Sequence, residues 1–210
     1  DHTIYAGTED GVYKSTDKGE TWEYIGLSWN LLYALQVTPD NIILAGTTKN
    51  GVFRSFDGGN TWSPANDGLQ DLIVEAMRIS SDYENDHTVF LSTRGSGIYK
   101  STDSGASWQH CGLENKFIQG IAVSPCYNID RTVFAATWDG IYRSTDGGAN
   151  WELISSIIRY EEQLHPLFYD GTWTYYYNNA LSTSVLAYST TYLLYTSPSP
   201  RNLSTSRMPS

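Results

Sequence analysis

Four residues of this sequence have side chains suited to holding a ligand, and each lies where otherwise similar stretches of chain differ. Trp138 and Asp139 are adjacent, so an exposed indole could stack on a sugar ring while the carboxylate bound its hydroxyl groups. The alternative is a tryptophan packed against the next structural unit. Arg78 and Arg94 could hold a carboxylate, because a guanidinium donates two parallel hydrogen bonds to that group. The alternative for both arginines is a solvated or packing role.

Three acids could contribute to the hydrolysis of a glycosidic bond. That reaction needs two carboxyl groups roughly 5 to 10 Å apart across the bond, and Asp71, Glu75 and Asp139 are available. Nothing in their spacing fixes such a pair, so each acid could instead be a solvated or packing residue. Trp29 is a further candidate for ligand contact, because it lies in a connection between two strand-like runs.

Motifs for metal, phosphate or nucleophilic chemistry are missing from the sequence. There is no H-E-x-x-H, no paired C-x-x-C, no G-x-S-x-G and no phosphate loop. We therefore expect no metal and no cofactor. Two cysteines, Cys111 and Cys126, are too few to define a disulfide framework, so free thiols and a single bridge are both open. The four histidines are scattered along the chain: His2, His87, His110 and His165.

One eight-residue pattern, S-x-D-x-G-x-[T/S/N]-W, occurs four times. Its copies start 40, 46 and 43 residues apart, and recurrence at a near-constant spacing indicates a repeat architecture. We call each copy an octad and number the octads in chain order. Their defining residues are Ser15, Asp17, Gly19 and Trp22; Ser55, Asp57, Gly59 and Trp62; Ser101, Asp103, Gly105 and Trp108; and Ser144, Asp146, Gly148 and Trp151.

Each octad belongs to a longer unit of short apolar runs. Directly before the first octad lies Gly11–Lys14, a glycine, a β-branched residue, an aromatic residue and a base, and the other three octads have equivalents. Further runs lie upstream, such as TIYAGT at 3–8 and LLYALQV at 31–37. Short β-branched or aromatic runs bounded by turn residues predict strands, and nothing in residues 1–157 has a helical period. Four strands in a unit of this length predict a blade of a β-propeller.

The octad lies between two predicted strands, so we expect it to be a hairpin turn. Its aspartate and serine can accept hydrogen bonds from turn amides, and its glycine can adopt the positive φ that such a turn needs. Its tryptophan carries a large apolar surface to bury between blades. A catalytic group is rarely needed once per blade, and no D-x-[DN]-x-[DN]-G calcium loop is present. The pattern therefore favours a repeated structural turn.

These octads resemble Asp-box repeats, also called bacterial neuraminidase repeats, which occur in sialidases, xyloglucanases, sortilin-type receptors and photosystem II assembly factors. The resemblance covers residues 1–157, and the flanks at 80–90 and 124–134 look most similar to uncharacterised secreted bacterial members. It implies that the octads close the outer hairpins of the blades, away from the axis. It also implies that ligands meet the loops on one face of the ring, near the axis. Those loops contain Trp29, Arg94, Trp138 and Asp139, while Glu75 and Arg78 lie on the strand nearest the axis.

Composition excludes several classes of protein. The 210 residues include 13 basic and 23 acidic side chains, a net charge of −10, whereas a nucleic-acid-binding protein normally has a basic face. No apolar run approaches the roughly 18 to 20 residues that span a bilayer. Aromatic residues make up 14% of the chain, and with 18 glycines this composition is typical of strands and tight turns rather than of a disordered chain.

The predicted fold class is therefore all-β, a partial β-propeller of about four four-stranded blades followed by the start of a β-sandwich-like segment and a disordered tail. Residues 1–157 form the blades, the first of them incomplete, and residues 158–192 form part of a β-rich second module. Residues 193–210 are expected to be disordered, and they resemble translated cloning-linker sequence. We expect an open arc that is a fragment of a larger ring, with end blades that promote self-association.

The expected function is that of a secreted or cell-surface propeller that binds a glycan or a protein and is not catalytic. The alternative is a glycoside hydrolase of the sialidase or xyloglucanase type, with catalytic residues partly outside this fragment. A third alternative, an assembly factor for a photosynthetic complex, needs a basic patch, and the acidic balance opposes it. No nucleic acid is expected as a partner. The same blade serves enzymes and binders, so the fold alone does not decide between them.

Overall fold

The computed structural model describes residues 3–156, 164–169 and 172–177. Over residues 3–156 the chain is almost entirely β, and four antiparallel sheets follow one another along it. The first sheet has three strands, the next three have four each, and strands that follow in sequence are neighbours in every sheet. We call each sheet a blade and number the blades 1 to 4 in chain order.

The strands are short and agree with the runs read from the sequence. Blade 1 consists of β1 (Ile4–Thr8), β2 (Gly11–Ser15) and β3 (Glu23–Gly26). Blade 2 consists of β4 (Leu32–Val37), β5 (Ile43–Thr47), β6 (Val52–Ser55) and β7 (Ser63–Pro64). Blade 3 consists of β8 (Val74–Ile79), β9 (Val89–Thr93), β10 (Ile98–Ser101) and β11 (Gln109–His110). Blade 4 consists of β12 (Ile118–Val123), β13 (Val133–Thr137), β14 (Gly140–Ser144) and β15 (Glu152–Ser156).

The blades are arranged around their first strands. Strand β4 packs against β8, and β8 packs against β12, so the first strands of blades 2, 3 and 4 line the inside of the arc. In blades 2 to 4 the octad joins the third strand to the fourth, and in blade 1 it joins the second strand to the third, so each octad lies on the outside. The predicted all-β fold, a partial β-propeller, is confirmed.

The core lies between blades rather than within any one of them. Every residue of β5 and of β9 is buried, because each of these strands has a neighbouring blade on both of its faces. A strand buried on both faces has apolar residues at consecutive positions rather than at alternate ones, as at Ile43–Ala45 and Val89–Leu91. By contrast, β1 is exposed at Ile4 and Gly7 and half-buried elsewhere. Burial of the same sequence motif therefore depends on whether a blade has a neighbour.

Two helices of a single turn, α1 (Tyr83–Asp86) and α2 (Tyr127–Asp130), lie between the first and second strands of blades 3 and 4. They are too short to have a helical period, which is why the sequence pattern did not indicate them. Asp86 accepts hydrogen bonds from Ser80 Oγ and from the Thr88 N–H, both at 2.8 Å. The equivalent residues of α2 form the same two bonds, so this connection is a second repeated turn.

Two further strands, β16 (Leu164–Tyr169) and β17 (Thr172–Tyr177), form an antiparallel hairpin. They fall inside the predicted second module, 158–192, whose limits stay a prediction. The predicted disordered segment, 193–210, lies outside the described residues. Within the described residues no helix has the length and apolar character needed to cross a membrane.

Candidate functional site

The first strands of blades 2, 3 and 4 each contain a β-bulge at their second residue. The bulged residues are Tyr33, Glu75 and Gln119. A bulge bends a strand and re-aims the side chain at that position. These strands line the inside of the arc, so an aromatic, an acidic and an amide side chain occupy equivalent positions around the axis.

Arg94 and Glu75 form an ion pair beside the bulge of blade 3. The Arg94 Nε to Glu75 Oε1 distance is 2.6 Å, and the Glu75 side chain is only 11% exposed. Glu75 raises the pKa of Arg94 by accepting its hydrogen bond, and Tyr33 contributes in the same direction. Asp71 holds the loop in place, because it accepts the N–H groups of Ile73 and of the glycine after Arg94, both at 2.9 Å.

Two aromatic rings continue from this ion pair into blade 4. The Arg94 guanidinium lies 5.8 Å from the centre of the Phe117 ring. Phe117 in turn stacks on Trp138, with ring centres 4.4 Å apart and planes inclined by 36°. Trp138 is 49% exposed. The two alternatives for Trp138 are an indole that stacks on a ligand and one that packs against the next blade. The structure shows Trp138 packed on Phe117 of its own blade, with half of its surface exposed to solvent.

A second ion pair lies next to the two rings. Lys116 Nζ pairs with Asp139 Oδ2 and also lies 5.4 Å from the centre of the Tyr142 ring. Asp139 further accepts hydrogen bonds from Thr137 Oγ1 at 2.6 Å and from the Tyr142 hydroxyl at 3.2 Å. These bonds, with that from Lys116 the strongest influence, lower the pKa of Asp139 to about 2. The Asp139 carboxylate is therefore ionised at neutral pH.

These groups form one surface across blades 2 to 4, which we call the ledge. It combines a half-exposed aromatic stack with two ion pairs, so its two positive and two negative charges balance. Its members are Tyr33, Glu75, Arg94, Lys116, Phe117, Trp138 and Asp139. The sequence singled out Trp138, Asp139, Arg94 and Glu75, and the structure connects Arg94 to Trp138 through Phe117.

Two candidate residues lie elsewhere. Arg78 is at the far end of β8 from Glu75, where its Nη1 donates to the Met77 carbonyl at 2.8 Å and burial lowers its pKa. Arg78 pairs with Phe90 near one end of the β8–β9 ladder, whereas Arg94 follows Thr93 at the other end of that ladder. The two arginines therefore do not form one clamp. Trp29 is 87% exposed in the connection between blades 1 and 2.

The four octads have the same internal hydrogen bonds. The glycine N–H donates to the serine Oγ at 2.8 Å in all four. The serine Oγ donates to the aspartate Oδ1 at 2.8, 2.9, 2.6 and 2.8 Å in chain order. The backbone N–H of the seventh residue donates to that aspartate at 2.9, 2.9, 3.0 and 2.9 Å. The predicted bonding of the aspartate and serine is confirmed.

These bonds lower the pKa of all four octad carboxyls from 3.8 to about 2. The side chain of the seventh residue is the strongest influence in octads 1, 2 and 4. In octad 3 burial is the strongest influence and raises the pKa of Asp103, but hydrogen bonds from Ser101 and Ser107 together outweigh it. Each carboxylate is used inside its own turn.

Three octad tryptophans connect neighbouring blades. Trp62 Nε1 donates to the Ile25 carbonyl of blade 1 at 2.9 Å. Trp108 and Trp151 do the same to blades 2 and 3, at 2.9 and 2.7 Å. Trp22 has no earlier blade among the described residues, so its indole donates to Gly19 of its own turn at 3.0 Å. The predicted burial between blades holds fully for Trp108, which is 5% exposed, and partly for Trp62 and Trp151, whereas Trp22 is 43% exposed.

The remaining reactive side chains do not converge. Over the described residues no group of three or more His, Cys, Asp or Glu side chains could hold a metal ion. His87 packs edge-on against Tyr83 at the end of α1. Cys111 and Cys126 are both free thiols, and burial raises the pKa of Cys111. His2 and His165 lie outside the residues whose side chains are described.

Fold and surface together define a β-propeller whose outer turns are uniform and whose loops near the axis vary. The sequence model of the Sortilin-Vps10 family, described as sortilin, neurotensin receptor 3, matches residues 50–160, which is more than half of the chain. This chain therefore belongs to the Sortilin-Vps10 family. No curated protein matches it.

Solved structures with this fold include enzymes and binding proteins. The GH74 xyloglucanase from Xanthomonas campestris is 20% identical with a TM-score of 0.59, and the match covers 77% of this chain and 30% of that one. YCF48 bound to D1 peptide is 19% identical with a TM-score of 0.53, covering 72% and 49%. The extracellular domain of a one component system from B. thetaiotaomicron is 19% identical with a TM-score of 0.59, covering 74% and 22%. This chain spans half or less of each of these proteins.

Proposed function

We propose that this chain is the ligand-binding part of a secreted or cell-surface propeller protein, and that the ledge binds a glycan or a protein segment without changing it chemically. The observation that carries this proposal is the stack of Phe117 and the half-exposed Trp138 between two ion pairs. An aromatic face beside fixed polar groups can stack on a sugar ring or an apolar side chain while the polar groups set its orientation.

The state of the nearby acids supports binding rather than catalysis. A glycosidase needs a carboxyl group that stays protonated near neutral pH, which requires a raised pKa. The pKa of Asp139 is lowered to about 2 instead. Glu75 is paired with Arg94, and Asp71 accepts two backbone N–H groups. Each of the three candidate acids is thus already engaged as a hydrogen-bond acceptor by neighbouring groups.

The structural relatives support both classes of ligand. YCF48 is bound to a peptide and the Xanthomonas protein is a xyloglucanase, so proteins with this fold include both a peptide binder and an enzyme that acts on a glycan. The extracellular relative from B. thetaiotaomicron supports a location outside the cell. We further propose that the octads are Asp-boxes, which is consistent with their four identical sets of bonds.

The second candidate is a glycoside hydrolase whose catalytic residues lie partly outside this chain. The similarity of its fold to a GH74 enzyme favours that candidate. The chain covers 30% of that enzyme, so a carboxyl partner could be contributed by other blades of a longer protein.

The test is binding of the chain to a panel of neutral polysaccharides, acidic polysaccharides and a peptide library. We expect Trp138→Ala to weaken binding at least tenfold, about 1.4 kcal/mol, because it removes the exposed half of the stack. Phe56→Ala is the matched control, since Phe56 is also exposed but lies in octad 2.

Three results would count against non-catalytic binding at the ledge. Absence of binding across the panel would overturn it, and so would binding that Trp138→Ala leaves unchanged. Release of sugar from a panel member, lost in Glu75→Gln or Asp139→Asn, would favour the hydrolase instead.

A further inference from the structure

The connection between blades 1 and 2 and the connection between blades 3 and 4 have the same backbone conformation. Leu27 and Leu113 have positive φ, 60° and 58°, and so do Trp29 and Asn115, 64° and 60°. In each connection the leucine carbonyl accepts a hydrogen bond from the N–H three residues further on, at 3.3 Å. The two connections therefore correspond residue by residue, and Trp29 occupies the position of Asn115.

Trp29 is an unusual residue for this conformation. Asparagine adopts the left-handed region readily because its side chain is short and polar, whereas a bulky side chain there strains the backbone. Packing does not offset that strain, since Trp29 is 87% exposed. Both blades that this connection joins are among the described residues, so Trp29 does not lie on an end face of the arc. A strained position that gains no packing is typical of a functional site.

An amide pair lies directly beside Trp29. Asn50 Nδ2 donates a hydrogen bond to Asn30 Oδ1 at 2.6 Å. Asn30 corresponds to Lys116, and Asn50, like Asp139, directly precedes the glycine that leads into the third strand of its blade. The amide pair therefore takes the place that the Lys116–Asp139 ion pair has in blade 4. We call Trp29, Asn30 and Asn50 the amide site.

The amide site continues the ledge. Tyr33 of the ledge follows Asn30 by three residues, at the bulge of the first strand of blade 2. Tyr33 in turn contributes to the raised pKa of Arg94, which lies 5.8 Å from the Phe117 ring. Aromatic side chains thus follow one another across blades 2 to 4. Several linked contacts of this kind suit a ligand made of repeated units, because each further contact then becomes intramolecular.

The charges at both places favour a neutral ligand. At the ledge each cation is already paired with an acid. At the amide site the paired groups are uncharged amides. The exposed charged side chains of the flanking loops are one base, Lys49, and two acids, Glu9 and Asp10. With a net charge of −10, the chain would also repel an anionic polymer.

We propose that the ligand is a neutral glycan chain that spans the ledge and the amide site, an inference that rests on the function proposed above. The Trp29 indole stacks on a sugar ring, and the amides of Asn30 and Asn50 bond its hydroxyl groups. Each amide group has more donor and acceptor positions than their shared bond uses. A peptide fits less well, because an apolar side chain gains affinity by entering a pocket. A flat sugar ring, by contrast, can stack on an indole that is open to solvent.

The experiment is calorimetric titration of the full chain with neutral oligosaccharides of increasing length, prepared from cellulose, mannan and xylan. Affinity should rise with length up to the size that reaches both places. Trp29→Asn is the test variant, because it introduces the residue of the equivalent connection and relieves the strain. It should weaken binding of the longest oligosaccharides at least tenfold and leave that of the shortest unchanged. Its melting temperature should rise by about 1 to 4 °C.

Two further variants keep the result specific to the indole. Trp29→Ala removes the indole but keeps a side chain that is strained in this conformation, and should weaken binding as much as Trp29→Asn does. A loss of affinity in only one of these two variants would assign the effect to the backbone and overturn the proposal. Phe56→Ala, in octad 2, should leave binding unchanged at every length.

The outcomes separate this inference from the function on which it rests. Binding that Trp138→Ala weakens and Trp29→Asn leaves unchanged at every length would overturn the inference and retain the proposed function. Tighter binding of oligogalacturonic acids or of a library peptide would do the same, since the ligand would then belong to another class. A wild type that binds neither saccharides nor peptides would overturn both.

Discussion

The octads and the ledge lie at opposite ends of the same strands, yet the blades repeat closely at one end and differ at the other. In all four octads the glycine N–H lies 2.8 Å from the serine Oγ. At the ledge, the equivalent bulge positions hold Tyr33, Glu75 and Gln119, which share no chemistry.

The difference follows from where each region obtains its hydrogen-bond partners. An octad satisfies its own carboxylate and amides, so it can be copied from blade to blade without regard to its neighbours. The ledge is built from side chains of different blades held by strands that are already fixed. Its residues can therefore change without loss of the fold, and we expect stability to depend on the octads and recognition to depend on the ledge.

Loss of an inter-blade tryptophan should have the largest effect on stability. Trp108 is 5% exposed and its indole donates to Ala65 across the junction. Trp108→Ala should lower the free energy of unfolding by about 3 to 5 kcal/mol, because it opens a cavity and removes that bond. Trp29→Ala is the matched control and should change it by less than about 0.5 kcal/mol, since Trp29 is 87% exposed. Urea denaturation followed by circular dichroism measures both, and equal losses would contradict this account of the junctions.

The octad glycine should matter more where a preceding blade is present. A Cβ at Gly59 would lie 2.2 Å from Ile25 Cδ1, whereas at Gly19 the nearest atom is in Trp22 at 3.7 Å. Both glycines have positive φ, near +93° and +94°, so both variants share the backbone strain. Gly59→Ala should therefore destabilise by about 1 to 3 kcal/mol more than Gly19→Ala, from overpacking alone. Parallel thermal melts test this, and no difference would mean that the turn conformation dominates.

The octads should also make the fold sensitive to acid. The four carboxyls have a pKa of about 2 when folded and 3.8 ordinarily, so the unfolded chain binds protons first. Their stabilisation is complete above pH 4 and is lost as the pH falls towards 2, because protonation then favours the unfolded state. The melting temperature measured at a series of pH values gives the slope of stability against pH. Asp103→Asn keeps an acceptor oxygen without the charge, and a slope that this variant leaves unchanged would refute the octad origin.

The two ion pairs of the ledge should contribute least to stability. Glu75 is 11% exposed and Asp139 is 49% exposed, so solvent screens the Lys116–Asp139 pair more strongly than the Arg94–Glu75 pair. Double-mutant cycles should give a coupling energy of less than about 1 kcal/mol for Arg94–Glu75 and a smaller one for Lys116–Asp139. A larger coupling energy for Lys116–Asp139 would indicate that solvent exposure does not determine the strength of these pairs.

The octads could be predicted from the sequence because their interactions are local. Serine, aspartate, glycine and tryptophan within eight residues contain all the donors and acceptors of the turn, so the pattern alone indicated its bonding. The exposure of Trp22 could not be predicted in this way, because it depends on a neighbouring blade and not on the octad itself.

The ledge could be predicted only in part. Trp138 and Arg94 stood out because their equivalents in other blades differ in type, but the link between them is Phe117, which the sequence pattern assigned to a strand. The bulges were not predicted, because each apolar run was interpreted as a regular strand. A signal was present nonetheless, because Tyr33 and Gln119 each separate an apolar residue from a small one, as Glu75 does.

The indole bonds between blades give the arc a direction, since each runs from one blade to the blade before it. An array of this kind behaves like a polymer with a donor end and an acceptor end. Adding a blade consumes one end and creates an identical one, so the bonding rule sets no limit on the number of blades. Ring size is then decided by the angle between neighbouring sheets, and the duplication of a blade preserves every junction.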